Sequence, residues 1–125
     1  MEKKELRVPP HNVDMEEGLL GCLIEDPKEA LSGFISDHPG SRGYFYDLRN
    51  KTVYHAVLKL QDERQNIDLL TLTNQLKKEN KLEEVGGVAH VAGMADKMSV
   101  PSNWPYYAKE LRGYWIKRQL IETGH

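Results

Sequence analysis

A chain of 125 residues is long enough for one domain to bury roughly two-thirds of its unfolded surface, so neither a metal nor a disulfide staple is required. Hydrophobic residues make up 39% and charged residues 29%, a balance that excludes a disordered chain and suits a helix-rich globule. Seventeen basic and nineteen acidic side chains leave a formal net charge of −2, without the basic excess of a stand-alone nucleic-acid binder.

The first dozen residues are polar, and Pro9-Pro10 favours an extended arm. Asp14 followed three residues later by Glu17 has the form of a capping box. Met15, Leu19, Leu20, Leu23 and Ile24 then form a helical apolar stripe, interrupted by Gly18 and Gly21, which permit close approach of another helix. Pro27 ends that helix and suits the first turn of the next. Asp26 is its expected cap, and Ala30, Leu31, Phe34 and Ile35 its buried side. Ser36 to Gly43, "SDHPGSRG", is dense in turn formers. A third helix is expected from Asp47, with Val53, Ala56, Val57 and Leu60 inward. Asp68 caps a fourth, whose face is Leu69, Leu72, Thr73 and Leu76. Gly86-Gly87 stand at the corner between that helix, expected over Leu69 to Lys81, and a fifth over Val88 to Met98. The fifth carries Val88, Val91, Ala92 and Ala95 as its apolar face. After "SVPSN" a longer helix runs from near Trp104 to Glu122. Its stripe is Tyr107, Leu111, Tyr114, Trp115 and Ile121, interleaved with Lys109, Arg112, Lys117 and Arg118. No alternating apolar run indicates a strand, so an all-α domain of about six helices is expected.

Little in this pattern supports catalysis. A phosphate-binding loop needs glycines followed by Lys-Ser or Lys-Thr, whereas Gly86-Gly87 is followed by Val-Ala-His-Val. His11, His38, His55, His90 and His125 are scattered, with no i, i+4 pair and no cysteine pair to build a zinc site, and no cofactor is expected. Cys22, the only cysteine, lies on the apolar first helix, fits an inert buried thiol, and points to a reducing compartment. Glu16-Glu17 and Glu83-Glu84 read as solvated helix ends. "MEKKELRVPPHN" lacks the apolar core of a signal peptide, and no apolar run approaches the roughly 20 residues that span a bilayer, so a cytoplasmic domain with no membrane contact is expected.

Two stretches could serve binding. Residues 14 to 29 hold Asp14, Glu16, Glu17, Glu25, Asp26 and Glu29 against Lys28 alone, which serves either capping and solubility or a partner. In the last helix aromatic and basic residues alternate, as in protein interfaces and single-strand binders. The alternative there is that one face packs into the domain's own core. A helix-turn-helix reading of "IDLLTLTNQLKKENKLEEVGGVAHVAGM" meets an obstacle. Its second helix has no Arg, Lys, Asn or Gln between Val88 and Ala95 with which to contact base edges.

Four segments in order, "PPHNVDMEEGLLGCLIED", "YFYDLRNKTVYHAVLKL", "NIDLLTLTNQLKKENKLEEVGGVAHVAGMA" and "YYAKELRGYWIKRQLIE", resemble the N-terminal domain of DnaB-type replicative DNA helicases over residues 8 to 122. Pro9, Pro10 and His11 match the family's Pro-Pro-His start. Ile67, Asp68, Leu69, Thr71 and Leu72 match "IDLxTL", and Leu82, Val85, Gly86 and Gly87 match "LxxVGG". The resemblance implies a compact orthogonal bundle over residues 13–122, ending in the first helix of a protruding helical hairpin. It leaves 1–12 as a flexible arm and 123–125 as a disordered end. It implies a non-catalytic head that self-associates as a dimer, or as a trimer of dimers within a hexamer, and docks primase or a helicase loader. Direct DNA binding is not expected. ATP hydrolysis belongs to the family's RecA-like domain, whose phosphate loop is absent from this sequence. The expected self-association residues are Trp104, Tyr107, Leu111, Tyr114, Trp115 and Arg118, and the expected partner-facing position is His90. His90 stands where the family often has an aromatic residue, and "VPSNWPYY" is shorter than the usual "PSAAN"-containing turn. Since the sequence stops soon after the first hairpin helix, part of the Tyr107–Trp115 stripe is expected to lack an intramolecular partner.

Overall fold

In the computed structural model, residues 8–123 are described; residues 1–7 of the expected arm and 124–125 of the expected end lie outside them. The described residues form six α-helices and no strand: α1 (Val13–Glu25), α2 (Ser32–Asp37), α3 (Leu48–Asp62), α4 (Leu69–Lys78), α5 (Gly87–Gly93) and α6 (Trp104–Thr123). A π-turn, Pro27–Leu31, leads into α2, and 3-10 turns occupy Ser41–Tyr44, Met94–Lys97 and Pro101–Asn103. No helix among the described residues is long and apolar enough to cross a membrane.

Local chemistry explains most boundaries. Asp47 caps α3 by accepting from Arg49 N at 2.9 Å and Asn50 N at 3.2 Å. Asp68 and Thr71 form a reciprocal capping box on α4, with Thr71 N donating to Asp68 Oδ1 at 2.8 Å and Asp68 N to Thr71 Oγ1 at 2.9 Å. The expected box on α1 is not formed. Asn12, not Asp14, is its cap, accepting from Met15 N at 3.1 Å. Asn80, at φ +58°, ends α4 three residues earlier than the apolar pattern suggests, and Lys81 N donates back to Leu76 O at 2.8 Å. Gly86, at φ +102°, then turns the chain. A side chain there would also press on His90 Cβ, at 2.9 Å, so glycine is required on two counts.

Helix α1 is the hub, packing against α3, α6 and the turns flanking α5 and α6. Leu19, Leu20, Cys22 and Leu23 are fully buried with Phe34, Val53, Val57, Leu72, Leu76 and Met94. The ring of Tyr54 lies 4.7 Å from that of Phe45 and 5.8 Å from that of Phe34, so aromatic packing joins α2 to α3.

Three apolar readings need correction. On α5, Val91 is buried but Val88, Ala92 and Ala95 are exposed; the helix breaks into a 3-10 turn at Met94, and Met94 fills the core instead. Leu69 and Ile121 also face solvent. Glu16 and Glu17, expected at a solvated end, are both buried because α1 enters the fold at its first turn.

Candidate partner interface

Helix α6 lies along the bundle with its aromatic residues seated on small ones. Tyr107 covers Gly18 of α1, where an added Cβ would sit 3.4 Å from the ring. Trp104 covers Gly33 of α2, and Trp115 covers Gly43, whose added Cβ would lie 2.8 Å from the indole Nε1. At the last two positions any larger residue would displace the tryptophan. Leu111 and Ala108, between these rings, are fully buried. The stripe expected to lack an intramolecular partner is therefore largely covered by α1, α2 and the 41–44 turn.

Arg118 locks the far end. Its Nη1 donates to Pro10 O at 2.8 Å, and its Nη2 donates to Gly43 O at 2.8 Å and Tyr44 O at 3.3 Å. The guanidinium carbon also lies 5.5 Å from the Tyr46 ring centroid. A planar cation with five donors suits three separated carbonyls; a lysine would not reach them together. Burial pulls the Arg118 pKa below its ordinary value, opposed by the charge of Glu16. Glu16 itself accepts from Tyr46 N at 2.8 Å, Asp47 N at 3.2 Å and Asn50 Nδ2 at 3.1 Å. Burial raises its carboxyl above the ordinary range, and these donors hold the rise down. The sequence held one signal for this role. Glu16 falls three, four and seven residues before Leu19, Leu20 and Leu23, on the apolar face.

The remaining expected positions are more open. Tyr114 is half-buried, with Lys117 Nζ 5.5 Å from its ring centroid. His90 is half-buried, its Nε2 3.7 Å from Glu17 Oε2. Lys97 reaches the same carboxylate at 3.2 Å and Asp14 more closely, at 2.6 Å. The outer side of α6 exposes Tyr106, Leu120 and Ile121 at 54, 65 and 60%. Beside its last turns Trp115 and Ile121, with Leu48 and Arg49 of α3, border a surface groove of about 740 Å³. The described residues contain no cluster of histidine, cysteine or carboxylate side chains able to hold a metal.

This architecture is that of the all-helical N-terminal domain of a replicative helicase. The crystal structure of the N-terminal domain of DnaB helicase from Mycobacterium tuberculosis matches it with a TM-score of 0.84 at 24% identity, over 92% of this chain and 81% of that one. A second solved structure, described as a DnaB-like replicative helicase and its interactions with primase, matches with a TM-score of 0.73 at 19% identity. That match covers 89% of this chain and 25% of that one. The chain belongs to the DnaB-like helicase N-terminal domain family, whose family model matches residues 8–113. Replicative DNA helicase DnaB of Geobacillus stearothermophilus is 31% identical over 118 residues, and replicative DNA helicase DnaC of Bacillus subtilis 33% over 121. Both alignments cover 94% of this chain, which spans about a quarter of the length of these curated relatives.

Proposed function

We propose that this domain is a non-catalytic assembly and docking head of a hexameric replicative DNA helicase. It self-associates as a dimer or a trimer of dimers and receives primase or a helicase-loading protein during DNA replication. The observation that carries the reading is the match of residues 8–113 to the helicase N-terminal domain family, with 94% of the chain aligning to a quarter of a replicative helicase, combined with a helix, α6, that is apolar on both sides. One side of α6 is used internally; the other exposes Tyr106, Leu120 and Ile121. Self-association is assigned to α6. Tyr114 and the solvent-facing edges of Trp104, Tyr107 and Trp115 contribute contact, while Leu111 and Arg118 hold the helix in place from within. His90 is kept as a partner-facing position on the side of α5 that meets Glu17, apart from the exposed Val88 and Ala92.

Light scattering over a range of concentrations, with titration of the cognate primase and loader, tests this. Concentration-dependent dimers and saturable binding of either protein are expected. A strict monomer that binds neither would overturn the reading. The pure chain is also expected to show no magnesium-dependent ATPase activity. The helix-turn-helix alternative gains no support, because α5 spans only Gly87–Gly93 and presents Val88 and Ala92 outward. If that reading held, the chain would bind duplex DNA at low salt with affinity falling steeply as salt rises.

A further inference from the structure

A second surface is unused by the features described so far. Between the C-terminal end of α1, the start of α4 and the outer face of α5 lies a groove of about 250 Å³. Gly21 and Ile24 of α1 border it on one side and Ala92 and Ala95 on another. Exposed Val88 lies one turn before Ala92 on α5, Ala95 follows in the 3-10 turn, and His90 is the only ionisable residue from Val85 to Ala95. A helix face with this composition ordinarily packs against something. Here the fold turns Val91 and Met94 inward and leaves the Val88, Ala92, Ala95 face outside. The small alanines would let another helix approach closely.

The charges around the groove select its occupant. Among the described residues the ionisable groups that line it are both carboxylates, Glu25 and Asp68. Asp68 also caps α4, so its carboxylate is held in place by Thr71 N and Asn66 Nδ2, while Glu25 stands exposed at the rim. The nearest lysine along α1's continuation, Lys28, lines a different depression, against Ser32 and Gln65. An apolar trough bordered by negative charge is complementary to a helix with leucine-like side chains on one face and Lys or Arg flanking them.

We infer that the α1–α4–α5 groove is a docking site for a basic amphipathic helix of a partner protein. This rests on the docking role proposed above and gives that role a surface and a chemistry. The partner helix lies against Val88, Ala92 and Ala95, places apolar side chains between Ile24 and Ala92, and sets its cations beside Glu25 and Asp68.

The test uses the full 125-residue chain, labelled with 15N, and two synthetic helical peptides of about 16 residues. Both carry leucine at i, i+3, i+4 and i+7; one has lysine and arginine elsewhere, the other glutamate. The basic peptide is expected to bind and to shift amide resonances of residues 21–25, 67–69 and 88–95. The acidic peptide should bind at least about tenfold more weakly. Ala92→Arg, at an exposed position that leaves the core untouched, should weaken the basic peptide about tenfold, and Glu25→Lys by a smaller factor that vanishes at high salt. Equal affinity for the two peptides, shifts centred elsewhere, or no response to Ala92→Arg would overturn the assignment. So would a concentration-dependent dimer of the free chain that Ala92→Arg abolishes, since the groove would then hold a second copy. If cognate primase or loader binds the wild-type and Ala92→Arg chains equally, the groove assignment falls while the docking role stands.

Discussion

Helices α5 and α6 carry apolar stripes of the same period, yet they meet opposite fates. The inner stripe of α6 is covered: Tyr107 and Trp104 rest on glycines of α1 and α2, Leu111 is enclosed, and Arg118 holds three backbone carbonyls. Most of the stripe on α5 is bare. The difference lies in what each helix meets. A long helix can fill a continuous surface of small seats. Helix α5 is a seven-residue connector whose inward direction is taken by Val91 and by Met94 beyond its end. A covered stripe stabilises the fold; a bare one is available to a partner.

Substitutions on the two helices should separate these roles. The largest loss is expected for Arg118→Ala, which strips charged donors from Pro10, Gly43 and Tyr44 in a buried setting. We expect about 3 kcal/mol of lost stability by chemical denaturation. Arg118→Lys should recover only part of it. Gly33→Val follows, at about 2 kcal/mol, because the added side chain must displace Trp104; a red shift of tryptophan emission should accompany it. Changes on the bare face, such as Val88→Ala, should stay within about 0.5 kcal/mol. A large loss there would mean that the α5 stripe is covered after all.

Two chemical probes sharpen the contrast further. Burial pushes the Cys22 thiol up to about 12, so at neutral pH it should resist a disulfide reagent for as long as the fold is intact. Labelling at the rate of global unfolding is expected in the wild type and faster labelling in Arg118→Ala. A smaller effect concerns Glu16, whose folded pKa is raised by burial above its unfolded value. The folded state then binds more protons between those two values. The stability this carboxyl contributes is full below the unfolded value and declines as pH rises through the folded one. Denaturation curves of wild type and Glu16→Gln should therefore diverge with pH, the difference moving against the wild type between acid and neutral pH. A pH-independent difference would remove Glu16 as the cause.

Much of this was legible without coordinates. Asp47 and Asp68 announced their helices because a carboxylate before an apolar periodic run satisfies orphan amide donors locally. The Gly86-Gly87 corner was legible because no other residue readily adopts two successive left-handed conformations, at φ +102° and +78°. Resemblance to the helicase heads was carried by the same local features. What failed depended on distant neighbours. Glu16 and Glu17 looked like cap and surface until α3 and the 94–97 turn closed over them; the cap position, by contrast, was lost locally, to Asn12, which lies two residues before Asp14 and accepts from Met15 N.

Sequence alone thus determined the helical class, the corners and the family, since these rest on contacts within a few residues of one another. Only the tertiary structure decided which apolar stripe is interior and which is surface. Periodicity reports that a helix has an apolar side, while coverage depends on whether another segment occupies the space it faces: Gly18, Gly33 and Gly43 lie beneath α6, whereas Ala92 on α5 stays exposed among the described residues.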